Sequence, residues 1–274
     1  MKNPIAVSSW SLHHLLGITH RNGPGASAPH IAHETFGLAK ISLEQLPKEL
    51  VARGYARVEL CQFHFASQEP DYLKRIGDAF KANGVVIQTL LIDDGDITNP
   101  ETRARDMEWI ESWIKSSALL GAEHARVIAG KSQPSDEVLQ LCVEGLKVLS
   151  LIGQKLGVRV VTENWFDLLS SPKNVHYVLD HVGKSLGFLA DTGNWRGPTK
   201  YVDLQSIFAR AELCHAKASF IAESQIDGAD FSACLRAARG ADYQGPLTLI
   251  FDGEGDEWQG LDIERQFIKA SELA

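Results

Sequence analysis

Three side chains of metal-binding type stand at the ends of three successive apolar runs in the second half of the chain. Glu163 ends the run VRVVTE, Asp191 ends GFLAD, and His215 lies in LCHAKAS. Each run is typical of a buried β-strand, so the three side chains would lie at the carboxyl ends of neighbouring strands. Two carboxylates and an imidazole suit one divalent ion, Mn, Mg, Co or Zn. The pattern predicts a metal site on one face of a sheet or barrel.

The alternation of side chains along a strand supports this prediction. Glu163 lies on the same side of its strand as Val161, Asp191 on that of Leu189, and His215 on that of Leu213 and Lys217. If these apolar neighbours line a barrel, all three candidate ligands point into its mouth. A single carboxylate at a strand end more often caps a helix or forms a surface ion pair, so the prediction depends on the joint pattern.

The segments that would position these residues repeat a simple scheme, in which a run of strand length is followed by an amphipathic segment of helix length. One predicted helix has Ser135 as its cap and Gly157 at its end, directly before the strand that carries Glu163. Strands that alternate with helices form parallel sheets. Eight such pairs in 274 residues predict an α/β fold with one domain over residues 1–274, a single (β/α)8 TIM barrel. An open doubly wound sheet would show a glycine-rich fingerprint after the first strand, where SSWSLH has no glycine.

A long segment after the first strand, about residues 11–36, is rich in glycine, proline and histidine. Loops of this length in compact domains are usually functional or disordered. We expect a lid that shields the site from water, with His13 as a candidate for substrate binding. Mobile surface histidines are the simpler interpretation for most of its histidines.

Several other side chains are candidates for catalysis or substrate binding. Lys217 shares the side of His215 and could bind a substrate oxyanion, although a solvated surface lysine is the simpler alternative. His64, near the end of the second strand, could carry a proton or have a structural role. Glu59 could face the mouth and bind substrate, or form an internal ion pair with an arginine such as Arg126.

Aromatic and amide side chains at strand ends are further candidates for substrate binding. These are Trp165, Trp195 and the neighbouring Asn194. Aromatic faces suit the C–H faces of a sugar ring, but a tryptophan at a barrel mouth also simply packs loops.

Composition excludes several classes of protein. A net charge of −8 argues against a surface that binds nucleic acid, which needs clustered Lys and Arg. No stretch approaches the 18 or more apolar residues of a membrane span. Four cysteines without C-x-x-C spacing indicate reduced thiols. We therefore expect a cytoplasmic protein that acts on a small molecule, and these features are compatible with a homo-oligomer.

Short motifs at all eight predicted strands carry a resemblance to a known family. They are SSWSLH, ARVELCQFH, LLIDDGD, LGAEHARVIAG, TENW, LADTGNW, HAKAS and YQGPLTLIFDGEGDEW. With these motifs the whole chain resembles the xylose isomerase-like TIM-barrel superfamily of sugar-phosphate isomerases and epimerases, which also contains inosose dehydratases and apurinic endonucleases. The resemblance implies one divalent metal ion held by a Glu, an Asp, a His and a second Glu from strands five to eight. Glu163, Asp191 and His215 match the first three positions.

The fourth position departs from the family pattern, because Ile250 stands where similar sequences have a glutamate. Asp252 has the same parity one pleat further along and could supply the missing ligand, or Glu254 could reach in from the loop. Alternatively, three protein ligands and water complete the shell, or the metal has been lost.

The resemblance implies a metal-dependent isomerase or epimerase that removes a proton next to the carbonyl of a sugar or keto-sugar. Glu163 would be a ligand and a candidate base, while Lys217 or His64 would polarise the substrate. A lyase or dehydratase acting on a keto-sugar or inosose could use the same site, and Ile250 also keeps a non-catalytic or metal-free barrel open. An apurinic endonuclease is disfavoured, because it would need more metal ligands and a basic groove.

Overall fold

The computed structural model describes residues 3–20, 23–26 and 30–272. Eight parallel strands close into a barrel in which each strand lies beside its neighbours along the chain and the eighth pairs with the first. The predicted (β/α)8 TIM barrel is therefore confirmed. The barrel strands are Ile5–Ser8, Arg57–Cys61, Val86–Ile92, His124–Val127, Arg159–Glu163, Gly187–Asp191, Leu213–Lys217 and Leu247–Ile250.

Helices follow the strands and form the outer layer. Ser135 caps its helix as predicted, since its side chain accepts a hydrogen bond from the backbone N–H of Val138, and the helix ends at a left-handed Gly157. The helix before the second strand begins at Leu46 with a proline in its first turn. The α-helices are His13–Leu16, Leu46–Ala52, Pro70–Ala82, Arg103–Leu120, Asp136–Leu156, Pro172–Val182, Lys200–Phe208, Gly228–Gly240 and Glu257–Glu272.

Two apolar layers position the site. The larger layer lies between the strands and the helices and holds fully buried side chains such as Trp113 and Phe80. Each such side chain contributes roughly 1.5–3 kcal/mol by leaving water. Inside the barrel, Val161, Leu189 and Leu213 form a separate buried cluster. They lie two residues before Glu163, Asp191 and His215, so they form the floor beneath the three candidate ligands.

The connection after the first strand is less irregular than the sequence predicts. It begins with a 3-10 helix, Ser9–Leu12, and the short helix His13–Leu16, and a bridge between Thr19 and His33 joins its two arms. Residues 21–22 and 27–29 of the predicted lid lie outside the described residues.

A second feature was absent from the sequence-based expectation. A small hairpin of two strands, Phe220–Ala222 and Gln225–Ile226, follows the seventh barrel strand. Among the helices that the structure describes, none is both long enough and apolar enough to cross a membrane.

Candidate active site

The carboxyl ends of strands five to seven bring the three predicted metal ligands together. Strand pairing places Asp191 beside His215, and Glu163 beside Leu189 on the neighbouring strand. One ligand atom from each of Glu163, Asp191 and His215 lies within 4.8 Å of the others, and all three side chains are buried. Nδ1 of His215 lies 3.4 Å from Oδ2 of Asp191 and 3.7 Å from Oε1 of Glu163. The facing atoms are thus two carboxylate oxygens and one imidazole nitrogen.

The loop after the sixth strand holds the two carboxylates in place. Oδ1 of Asp191 accepts hydrogen bonds from the backbone N–H groups of Gly193 (2.5 Å) and Asn194 (3.0 Å), which leaves Oδ2 facing His215. The side-chain amide of Asn194 donates to Oε1 of Glu163 at 2.8 Å. Asn194, predicted to bind substrate, therefore also orients a candidate ligand.

Asn164 links two of the candidate ligands, and sequence reasoning missed it. Its Nδ2 donates to the carbonyl of Asp191 (3.0 Å), and its Oδ1 accepts from the N–H of Asp191 (2.7 Å). The side chain thus continues the pairing of strands five and six beyond the last paired residue. The available signal was an amide directly after Glu163, a position where a side chain can replace a backbone partner.

His215 is held from below by Glu59. Nε2 of the imidazole lies 2.6 Å from Oε2 of Glu59, whose side chain is fully buried. Burial alone would raise the pKa of Glu59, but the charge of His215 and the hydrogen bonds outweigh it and lower that pKa. Burial would lower the pKa of His215, but Glu59, Glu163 and Asp191 around the ring raise it well above its usual value. The internal ion pair expected as the alternative role of Glu59 is present, but its partner is His215 and not Arg126, while a contact of Glu59 with substrate stays a prediction.

Arg126 and Asp93 form a buried ion pair beside Glu163. The guanidinium contacts Asp93 directly, and its Nε lies 3.2 Å from Oε2 of Glu163. Burial raises the pKa of Asp93 against the opposing effect of Arg126. Sequence reasoning did not single out Asp93. Trp165 packs on this pair, with its ring 5.0 Å from the guanidinium and stacked on Phe166 at 4.4 Å.

The eighth strand contributes no ligand atom to this group. Ile250 is buried at the wall of the cavity and pairs in register with Lys217. Asp252 turns to Lys217 instead, with Oδ2 at 2.5 Å from Nζ and 46% of its side chain exposed. Glu254 is exposed as well. Asp252 is thus paired with the lysine and lies outside the group of converging ligand atoms, and its predicted role as a metal ligand stays a prediction.

Lys217 lies in the cavity wall because its neighbour is small. A Cβ atom on Gly193 would come within 2.7 Å of Cδ of Lys217, so any larger residue at this position would displace the lysine stem. Its side chain is a quarter exposed. The predicted position of Lys217 beside the candidate ligands is thus what the structure shows.

Three other predicted site residues pack into the structure around the cavity. His64 is buried, with Nδ1 3.0 Å from Oγ of Ser9, and burial lowers its pKa well below the usual value. Trp195 is buried and donates from Nε1 to the carbonyl of Leu169 at 3.0 Å. His13 stacks on Phe36 at 4.1 Å. None of the three lines this cavity, and their predicted contact with substrate stays a prediction.

The cavity at the mouth has a volume of about 90 Å³. Its wall combines acidic, basic and apolar side chains, namely Ser8, Trp10, Leu91, Asp93, Arg126, Glu163, Trp165, Asp191, Asn194, His215, Lys217 and Ile250. Catalytic metal sites typically have three protein ligands and keep further coordination positions open. The three converging ligand atoms, with free space beside them, match this arrangement. The residues present fit a divalent ion of the Mg, Mn, Co or Zn class.

Comparison with known proteins places this barrel in a family. Residues 47–270 match the sequence model of the xylose isomerase-like TIM barrel. The chain belongs to this family. The predicted resemblance is therefore confirmed, while no curated protein sequence matches the chain.

Solved structures of similar shape include two sugar epimerases. The 3-keto-D-glucoside 4-epimerase YcjR from E. coli has 15% sequence identity and a TM-score of 0.68, over 98% of this chain and 100% of that one. An L-ribulose 3-epimerase has 13% identity and a TM-score of 0.71, over 98% and 94%. A xylose isomerase-like TIM barrel protein from Mycobacterium smegmatis, in complex with magnesium, has 12% identity and a TM-score of 0.68, over 99% and 98%. At these identities the likeness shows a shared fold.

Proposed function

We propose that this protein is a divalent-metal-dependent isomerase or epimerase that acts on a sugar or keto-sugar. The observation that carries the proposal is the convergence of Glu163, Asp191 and His215 in one buried cavity at the carboxyl ends of the strands. Active sites of TIM barrels lie at this end. Similar folds in a keto-glucoside epimerase and an L-ribulose epimerase support the choice of substrate class.

Glu163, Asp191 and His215 would hold the ion. A bound divalent ion would polarise a substrate carbonyl and stabilise the negative charge that develops when the neighbouring carbon loses its proton. Glu163 is the proposed base. Its Oε1 is held by Asn194, and Oε2 lies beside Arg126 without a well-aligned hydrogen bond.

Lys217 is the proposed partner of Glu163. It lines the same cavity from the seventh strand, beside the apolar wall that Ile250 forms. Its ammonium group can donate a hydrogen bond to a substrate oxygen, or a proton to a carbon, from a position next to the one that the second family glutamate would occupy. Trp10 and Trp165 close the cavity around the reacting atoms and help to exclude water.

Ile250 gives specific support to a second candidate function. Epimerisation needs acid and base groups on both faces of the carbon, and the eighth strand offers only an alkyl side chain here. A lyase or dehydratase that acts on a keto-sugar needs one base and a leaving group. Such an enzyme would use Glu163 and Lys217 without any group on the eighth strand.

Exchange of substrate protons with heavy water tests both candidates together. The protein is incubated in D2O with Mn²⁺ and a panel of ketopentoses, ketohexoses, keto-glycosides and inososes, and proton NMR follows the signal next to the carbonyl. We expect this signal to disappear with the wild-type protein, and a new sugar signal identifies an isomerase or epimerase. An unsaturated product identifies a lyase.

Two variants separate the site from contamination and folding effects. Glu163→Gln is expected to lower the exchange rate by at least roughly 100-fold, the usual contribution of a general base. Glu108→Gln, on the exposed face of its helix, serves as the matched control and should keep the wild-type rate. A folded wild-type protein that binds Mn²⁺ but exchanges no proton of any panel member would contradict the proposed activity.

A further inference from the structure

A chain of hydrogen bonds reaches His215 from within the barrel. Oε1 of Glu59 accepts from Nε2 of Gln88 (2.8 Å) and from Oγ1 of Thr89 (3.0 Å). Its other oxygen, Oε2, lies 2.6 Å from Nε2 of His215. An ionised carboxylate has no proton to donate, so the proton between the two residues belongs to Nε2 of the imidazole.

Two consecutive residues reach the same oxygen because the third strand contains a bulge. Val58 pairs with Ile87 and Glu59 pairs with Thr89, so Gln88 is the additional residue. In a regular strand the side chains of Gln88 and Thr89 would point to opposite faces. The bulge directs both of them to Glu59.

The orientation of the Gln88 amide follows from its other neighbours. Nε of Arg57 donates to Oε1 of Gln88 at 2.9 Å. A guanidinium has no acceptor, so the atom that faces it must be the amide oxygen. The amide nitrogen therefore faces Glu59 and also reaches Oγ1 of Thr248 at 3.0 Å. Each hydrogen bond in the chain from Arg57 through Gln88 and Glu59 to His215 therefore has a fixed donor and a fixed acceptor.

We propose that this directed chain decides which ring nitrogen of His215 carries the proton and which one is offered to a metal ion. The inference rests on the metal site of the proposed function. With a proton fixed on Nε2, Nδ1 is the ring nitrogen that faces Oδ2 of Asp191 and Oε1 of Glu163, and it offers its lone pair to an ion that displaces any proton held there. Glu59 and Gln88 are positioning residues, which act through His215 without contact with the ion. Loss of such an outer partner typically costs roughly 10–100-fold in metal affinity.

Glu59→Gln reverses the chain with almost no change of shape. Because Nε2 of Gln88 can only donate, the new amide must turn its oxygen to Gln88 and its NH2 group to His215. Nε2 of the imidazole then has to accept and gives up its proton, so the proton that the ring keeps is on Nδ1, where it blocks metal binding. We expect nitrogen-15 NMR of the metal-free protein to show that Nε2 has lost its proton. Calorimetric titration should show a Kd for Mn²⁺ about 100-fold higher.

The exchange variant E59Q/Q88E restores the original direction. The amide at position 59 can donate to the new carboxylate at position 88 and turn its oxygen to His215. The same carboxylate still accepts from Arg57, and the hydroxyl of Thr248 can reorient to donate to it. The buried charge is preserved. We expect the proton to return to Nε2 and the Kd for Mn²⁺ to return to within about tenfold of the wild-type value. Glu108→Gln, on the exposed face of its helix, should change neither measurement.

The NMR and calorimetric measurements separate this inference from the metal site itself. An unprotonated Nε2 in the wild-type protein would overturn the inference, and this spectrum needs no variant to fold. A proton retained on Nε2 in E59Q would overturn it as well, and so would failure of the exchange variant to restore that proton. The predicted proton pattern in a wild-type protein that binds no Mn²⁺ would support the inference and contradict the proposed metal site.

Discussion

The two sides of the barrel mouth differ in how their polar side chains are held. On the side of strands five to seven, Asp191 accepts hydrogen bonds from two backbone N–H groups, and Glu59 fixes the ring of His215. The side chains of these three residues are buried. On the side of the eighth strand, Ile250 forms an apolar wall and Asp252 reaches Lys217 at a solvated rim. The side chains of the first side are already fixed by protein contacts, which is the preorganisation that the proposed catalytic site would need. The second side supplies shape and one flexible cation.

The sharpest test of this difference removes one carboxylate from each side. Asp191→Asn keeps an oxygen for the N–H groups of Gly193 and Asn194 but replaces the free carboxylate oxygen with NH2. We expect the Kd for Mn²⁺ to rise on the order of 1,000-fold, or about 4 kcal/mol, because each ligand carries a large share of the binding free energy. Calorimetric titration with Mn²⁺ measures the Kd of this variant and of its control, Asp252→Asn.

Asp252→Asn is the matched control for that titration. Loss of a solvent-exposed ion pair is worth about 1 kcal/mol or less, so its Kd should change by less than about fivefold. Equal losses in the two variants would show that the eighth-strand side also holds the ion.

The buried ion pair of Arg126 and Asp93, beside Glu163, should contribute more to the free energy of unfolding than an exposed ion pair does. Arg126→Met leaves the carboxylate of Asp93 buried without its partner, which costs roughly 3 kcal/mol of unfolding free energy. The double variant D93L/R126M removes both charges and should regain at least half of that loss. Urea unfolding measures these changes, and Arg210→Met, in an exposed pair with Asp180, should leave the free energy of unfolding almost unchanged. If Arg126→Met lowered the free energy of unfolding no more than Arg210→Met does, the proposed difference between the two sides of the barrel mouth would be contradicted.

A carboxylate placed on the eighth strand should reduce the contrast between the two sides. Ile250→Glu puts an anionic oxygen beside the candidate ligands, and additional charged ligands tighten binding of hard cations. We expect a Kd for Mn²⁺ about tenfold lower. Ile250→Gln has the same shape without the charge and should give no such gain. A weaker affinity in Ile250→Glu would indicate that this wall is not adjacent to the ion.

The smallest expected effect concerns Glu264, a buried carboxyl group on the last helix behind the rim. Burial raises its pKa well above the usual 4.5, and Oε2 has no hydrogen-bond partner. The folded protein then binds more protons than the unfolded chain, so unfolding free energy should fall as pH rises from about 4.5 through the raised pKa. Glu264→Gln should remove this slope and gain roughly 1 kcal/mol at pH 8. Urea unfolding across pH provides the check, and an unchanged slope in the variant would refute this assignment.

The alternation of strand and helix patterns in the sequence was enough to predict the barrel, and strand parity was enough to predict the three converging side chains. Parity predicts the direction of Glu163, Asp191 and His215 correctly because they lie at or near the ends of regular strands, which pair with their neighbours without a register shift. Parity could not give the depth of Glu59, which depends on the stagger between strands far apart in the chain. The bulge at Gln88 also changes the alternation along the third strand, so Asp93 could not be assigned to the cavity from its sequence position.

The sequence also could not predict the direction in which side chains in loops point. Asp252 has the parity of Ile250, but it follows the end of the strand, where alternation no longer constrains the side chain. Its partner Lys217 lies on a different strand, and no local pattern links the two. Trp195 shows the same limit, because its indole N–H is satisfied by Leu169 in the core.

Anomalous X-ray diffraction at the manganese edge, from crystals grown with Mn²⁺, tests the central claim most directly. We predict one strong peak bounded by Glu163, Oδ2 of Asp191 and Nδ1 of His215, with no ligand atom from the eighth strand. An empty position between these three residues, or a peak held by Asp252 instead, would contradict it.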